Sequence, residues 1–145
     1  MKIPNSIRVF RAALAATLVV LVAGCGGPSA MNESSPNVAH ITEAEFAAEV
    51  SQSASPVVVD FYATWCGPCK RLSPMLDEIA GSFTNHIKFV KVNVDEAKSV
   101  AGQFHIEAIP TLVFFKDGKV VDTLVGLPST DTLKARLNSL AGAPQ

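Results

Sequence analysis

The sequence predicts a single α/β domain built on a central mixed β-sheet with helices on both faces. Three observations lead there. The chain has 145 residues, which suits one domain of about 100 residues plus its flanking segments. From residue 38 onward, short strand-like runs alternate with stretches of helical periodicity. Near the C-terminus, two strand-like runs flank Lys116-Asp117-Gly118, a strand–turn–strand signal. The order β-α-β-α-β-α-β-β-α implies helices packed on both faces of the sheet.

Each element has its own signal. VAHI at 38–41 reads as a short strand. Thr42-Glu43-Ala44-Glu45 has capping-box spacing for a helix start, with Phe46, Val50 and the alanines on its inner face. Pro56 opens VVVDFYA, a nearly continuous apolar run suited to a strand buried on both faces. A helical stretch follows to about residue 80, with Leu72, Leu76 and Ile79 at spacings of four and three. Pro74 lacks a backbone donor and is expected to kink that helix. IKFVKVNV at 87–94 alternates and reads as a strand, and a helix over 96–104 follows with Ala97, Val100 and Phe104 inward. TLVFF at 111–115 and KVVDTLV at 119–125 are the paired strands. Ser129 caps a last helix carrying Leu133, Leu137 and Leu140 on one stripe.

Charge and hydropathy are distributed unevenly. Lys2, Arg8 and Arg11 are the only charged residues among the first 24, which leaves 9 basic against 13 acidic residues, or −4, from residue 25 onward. An acidic body lacks the basic footprint of a nucleic-acid binder, so that class is excluded. The basic residues precede the apolar run AALAATLVVLVAG at 12–24, the layout of a secretory signal. Thirteen helical residues span about 20 Å, short of the roughly 30 Å of a hydrocarbon core. A cleaved leader is therefore the better reading than a permanent span. Val22-Ala23-Gly24-Cys25 resembles a bacterial lipobox, which implies cleavage before Cys25 and lipidation of that cysteine. GGPSAMNESSPN at 26–37 has almost nothing to bury and reads as a tether. The expected organisation is a leader at 1–24, a lipidated Cys25 with linker to 37, and a folded domain at 38–142.

If Cys25 carries lipid, Cys66 and Cys69 remain as a pair in ATWCGPCK. A structural zinc site needs four ligands and one C-x-x-C supplies two, while His40, His86 and His105 fall in separate segments. A metal site is thus disfavoured. A disulfide enclosing two residues restricts little of the unfolded chain, so a structural staple is disfavoured too. Redox exchange suits the placement. Cys66 falls where a strand runs into a helix, and free N–H groups with the positive end of the helix dipole lower a thiol's pKa there. Cys69 is one turn on, about 5 Å away between Cα atoms, within disulfide range. Gly67 permits the tight turn, and Pro68 suits a first helical turn. Cys66 is then the exposed nucleophile and Cys69 the resolving thiol, and the dithiol itself carries the electrons, so no cofactor is needed.

These residues have company. Asp60-Phe61, Trp65-Cys66-Gly67-Pro68-Cys69-Lys70, Pro74, Ile109-Pro110-Thr111 and Gly126 together resemble the thioredoxin family over nearly the whole domain. The resemblance implies a thioredoxin fold and a monomer acting on disulfide-containing proteins. It implies that Asp60 is buried behind Cys69 as its proton acceptor and donor. It places Lys91 near Asp60, where the lysine moderates the carboxyl's pKa. It also implies that Ile109-Pro110 forms a cis-proline loop opposite the cysteines. There the backbone pairs with an extended substrate, and Trp65, Gly67, Pro68 and Gly126 complete the docking groove. On the residues alone, Asp60 and Lys91 could face solvent, Trp65 could be core, and Gly126 could merely end a strand. Burial in an apolar run would in any case raise the Asp60 pKa. Tyr62 and Thr64 stand where many thioredoxins carry Trp and an acidic residue, and both positions bear on the tuning of Cys66.

The Gly-Pro dipeptide resembles reducing thioredoxins rather than oxidases. The two classes differ widely, with thioredoxin itself the reference at about −270 mV and a strong periplasmic oxidant at about −120 mV. An exported reductase has no access to cytosolic NADPH, and no dinucleotide fingerprint occurs here, so a membrane electron donor is expected. Anchoring through Cys25 would raise the local concentration near that donor. The alternatives are an extracytoplasmic oxidase or isomerase, a thioredoxin for cytochrome c maturation, and a non-redox binding module. Cys69 to Pro110 leaves no room for the insertion that the cytochrome c maturation proteins usually carry.

Overall fold

The computed structural model describes residues 35–142. The leader, Cys25 and the first part of the linker lie outside them. Five strands and three α-helices are present among the described residues: β1 (Ala39–His40), β2 (Val57–Tyr62), α1 (Gly67–Gly81), β3 (Lys88–Asn93), α2 (Lys98–Gln103), β4 (Thr111–Lys116), β5 (Lys119–Val125) and α3 (Thr130–Ala141). The sheet order is β1-β3-β2-β4-β5. β1 and β2 run parallel to β3, whereas β4 is antiparallel to both β2 and β5. The sheet is therefore mixed, as the sequence predicts.

β2 is central and buried along its length up to Tyr62. Its alternate side chains feed two cores, because successive residues point to opposite faces. Val58 joins Leu72, Leu76, Ile79, Phe89, Phe114, Leu133 and Leu137 beneath α1 and α3. Val57, Val59 and Phe61 join Phe46, Val50, Val90, Val92, Val100 and Phe115 on the α2 side. β3 lies between β1 and β2 and is buried from Phe89 to Asn93. Lys91 and Asn93 are buried with it, while Lys88 at its start is part-buried.

The predicted first helix is shorter than its capping box suggests. Glu45 reaches back to the Thr42 N–H at 2.8 Å, so half of the box forms. The Glu45 N–H goes to the Thr42 carbonyl instead, and a π-helical turn at Ala47–Ser51 follows, closed by Gln52 N–H to Ala47 O at 2.9 Å. α1 runs on through Pro74, whose ring lies on the exposed side. The β4–β5 turn uses Asp117 and Gly118 at φ 51° and 71°, the two left-handed residues of a tight hairpin. A Cβ at Gly118 would stand 2.3 Å from the Ser51 carbonyl oxygen, so glycine is required there on both counts. Ser129 caps α3, its side chain accepting from the Thr132 N–H at 3.2 Å.

One boundary differs from the composition-based reading. Asn37, read as the end of the tether, is pinned to α1: its N–H donates to Asp77 Oδ1 at 2.9 Å and its amide to the Asp77 carbonyl at 3.1 Å.

Candidate active site

β2 delivers the chain to the start of α1, and Cys66 is the residue between them. Cys66 has extended backbone angles and acts as N-cap, its Sγ accepting from the Cys69 N–H at 3.1 Å. A backbone donor already aims at the sulfur, so a negative charge there is stabilised by the N–H and by the helix dipole. Gly67 and Pro68 form the first turn without sacrificing a needed donor. Cys66 and Cys69 form a disulfide with Cα atoms 5.3 Å apart.

Cys66 is not the exposed residue that the sequence reading expected. It is 4% exposed against 3% for Cys69, so burial does not distinguish the two. The reason is packing: Ala63 shares the small cluster around the cysteines, and Tyr62, Val94 and Ile109 close over it. What distinguishes the cysteines is position, the N-cap for one and the first turn for the other.

Behind the pair lies Asp60. It is 3% exposed, and its Oδ1 has no hydrogen-bond partner. Burial pushes its pKa up from 3.8 to about 7, and the Lys91 charge opposes that rise. Lys91 is 5% exposed and sits directly beside Asp60 across the β2–β3 ladder. Neither residue takes the solvent-facing position that the residues alone left open. Asp60, Lys91, Cys69, Tyr62, Thr64 and Ser73 are among the residues around one cavity. About 10 Å³ of it is open to a water centre, about what a single water needs. The cavity thus brings a buried acid and Cys69 to one small space.

The outer rim comes from three other segments. The Ile109-Pro110 peptide is cis, and Thr111 Oγ1 ties the loop by donating to the Ala108 carbonyl at 2.8 Å. Ile109 packs against the cysteine cluster, which brings this loop to the disulfide. Gly126 has φ 84° and donates its N–H to the Pro110 carbonyl at 2.8 Å. Trp65 is 69% exposed, so it is surface and not core, and its indole N–H donates to Asp95 Oδ2 at 2.8 Å.

Four neighbours of the rim carry no assignment from the sequence: Asp95, Asn93, Val125 and Leu127. Asp95 orients Trp65 from 30 residues away, a pairing no local pattern announces. Asn93 builds the turn that presents it, accepting the Asp95 N–H at 3.0 Å. Val125 and Leu127, exposed on either side of Gly126, extend the apolar surface. Their sequence signal was available, since apolar residues bracketed a glycine already assigned to the groove.

The thioredoxin family model matches residues 37–139. The chain is 51% identical to Thioredoxin 1 of Synechococcus elongatus over 100 residues, covering 69% of this chain and 94% of that protein. It is 48% identical to a thioredoxin of Haemophilus influenzae over 94 residues, 64% of this chain and 88% of the relative. A thioredoxin of Pseudomonas aeruginosa is 40% identical over 105 residues, 72% and 97% respectively. With the mixed sheet, the Cys66–Cys69 disulfide and this likeness over nearly the full length of its relatives, the chain belongs to the thioredoxin family, as a protein-disulfide reductase of the thiol-disulfide oxidoreductase type.

Proposed function

We propose that this protein reduces disulfides of protein substrates outside the cytoplasm, held at a bacterial membrane by lipid on Cys25, through a mixed disulfide on Cys66. The observation that carries the chemistry is the disulfide at the start of α1 sharing a cavity with a buried, partly unpartnered carboxyl group. The Cys66 thiolate attacks one sulfur of a substrate disulfide, an S–S bond forms to Cys66, and the first substrate thiolate leaves. Ionised Asp60 accepts the Cys69 proton across the cavity. The Cys69 thiolate then attacks Cys66 Sγ and releases the second substrate thiolate. Two electrons have moved to substrate, and the chain is left in the disulfide form seen here.

Ile109-Pro110, Gly126 and Trp65 form the docking groove, with Gly67 and Pro68 at its floor. An extended substrate segment pairs with the backbone beside Pro110, whose ring offers no competing N–H. Lys91 moderates Asp60, as the direction of its charge effect supports. The domain works as a monomer and is re-reduced by a membrane electron donor. Support for the address lies in the sequence: Lys2, Arg8 and Arg11, the short apolar run, and Val22-Ala23-Gly24-Cys25.

Two measurements test the two halves separately. Cys66→Ser is expected to abolish reduction of a model disulfide protein, and retained turnover would overturn the chemistry. Intact mass of the membrane fraction is expected to show a diacyl adduct on Cys25. An unmodified, soluble chain would overturn the address and leave the chemistry standing.

A further inference from the structure

We infer that Tyr62 is a positioning residue for the resolving half of the reaction: its ring holds the Lys91 ammonium in place beside the cavity shared by Asp60 and Cys69. The inference rests on the proposed role of Asp60 for its kinetic consequence, but its electrostatic core stands on geometry alone.

Tyr62 lies two residues beyond Asp60 on β2, so both side chains point to the same face of the sheet. Lys91 is the β3 partner of Asp60, and its Nζ stands 5.6 Å from the centroid of the Tyr62 ring. That is inside the roughly 6 Å at which a ring face attracts a cation. The ring is itself braced from β1. His40, which pairs with Lys91 on the other side of β3, meets Tyr62 nearly edge-on at 82° with centroids 6.2 Å apart. Three adjacent strands thus converge on one ammonium group.

The choice of an aromatic partner has chemical sense. A second carboxylate beside Lys91 would absorb its charge and add a competing proton acceptor to the cavity. A ring face can hold a cation without adding a proton acceptor, and Asp60 is the carboxylic acid among the described residues around the cavity. Among the described residues, the other charged and titratable groups around this cluster include His40 from β1, and Cys69 and Lys70 from α1, with Ser73 a neutral polar neighbour. Because Coulomb energy in such a setting changes steeply over a few ångströms, the position of the ammonium sets how readily Asp60 ionises. Its presence favours the ionised carboxylate.

The test is a carboxyl-carbon NMR titration of Asp60 in the oxidised full chain, a readout that does not depend on turnover. Lys91→Met is expected to move the Asp60 midpoint to higher pH. Tyr62→Leu and Tyr62→Met remove the ring at different volumes, and at least the better-folded of them is expected to move it upward by about one pH unit. Tyr62→Phe keeps the ring face and leaves the midpoint in place. Combining Tyr62→Met with Lys91→Met is expected to add nothing to Lys91→Met alone, since the ring acts through the ammonium. Repeating the comparison in a His40→Gln background separates the imidazole's own titration, and the Tyr62→Met shift persists there. In reduced protein, the pH profile for resolving a mixed disulfide shifts upward with the Asp60 midpoint. An unchanged midpoint in both ring-less variants, additive shifts in the double variant, or loss of the shift without His40 would each overturn the inference. If the NMR shifts occur but the resolution profile does not follow, the proposed role of Asp60 fails and the positioning of Lys91 stands.

Discussion

On the α2 side of the sheet, Phe46, Phe61, Phe104 and Phe115 pack with ring centroids 5.3 to 6.5 Å apart, among Val59, Val90 and Val113. On the opposite side, one residue back from Phe61, Asp60 is equally buried, with one carboxyl oxygen unpartnered. Adjacent residues of one strand thus enter two different environments. The phenylalanine layer gains from burial without leaving a polar side-chain group to satisfy, and it supplies stability. The layer at Asp60 and Lys91 surrenders some of that stability to keep an acid near neutrality behind Cys69. Substitutions in the two layers should therefore have opposite signs, which gives the comparison its tests.

The largest effect is on activity alone. Cys66→Ser is expected to lose all measurable disulfide reduction while its urea midpoint stays within the range of the reduced wild type, because the phenylalanine layer is untouched.

Next comes stability alone. Phe61→Ala opens a cavity in the apolar layer and is expected to cost about 3–5 kcal/mol, read by urea denaturation. Below the unfolding transition, its turnover per folded molecule and its pH profile stay near wild type. A change in the pH profile would mean that the layers are coupled.

Asp60→Asn reverses the sign. Unfolded, the carboxyl loses its proton near 3.8, whereas folded it holds the proton to about pH 7. Between these values the folded state binds more protons, so wild-type stability falls as pH rises and levels off above about 7. The variant lacks this slope. Relative to it, the wild type is expected to lose up to about 4 kcal/mol across that window, measured by denaturation of the oxidised form at pH 4 to 8. Equal pH dependence in the two proteins would refute the buried-acid account. The same variant should slow resolution of a mixed disulfide above pH 7, when wild-type Asp60 is ionised.

The smallest effect belongs to the rim. Asp95→Ala frees the Trp65 indole and is expected to raise KM severalfold, corresponding to about 1 kcal/mol, with little change in kcat. Trp65 is the only tryptophan in the chain, so its emission reports the loosening directly.

How much of this was legible beforehand follows from the range of each interaction. The alternation of strands and helices from β2 onward, the α3 cap at Ser129 and the hairpin at Asp117-Gly118 are written in neighbouring residues, and they formed. Asp60 could be suspected because a lone carboxylate interrupts an apolar run. β3 was harder: Lys91 and Asn93 make it look half-solvated, yet both are buried beside Asp60 and Tyr62 of β2. Trp65 to Asp95 and Tyr62 to Lys91 join segments about 30 residues apart, and only the β2–β3 register brings them together. The burial of Cys66 likewise depends on Ile109 and Val94, which local periodicity does not place over it.

The most direct test of the central claim is a trapping measurement. A Cys69→Ser chain, reduced and mixed with a disulfide-containing protein, should accumulate a mixed disulfide whose bond maps by peptide mass to Cys66. The adduct should disappear on adding reductant. No adduct, or one mapped away from Cys66, would contradict the assignment of Cys66 as the nucleophile and the mechanism built on it.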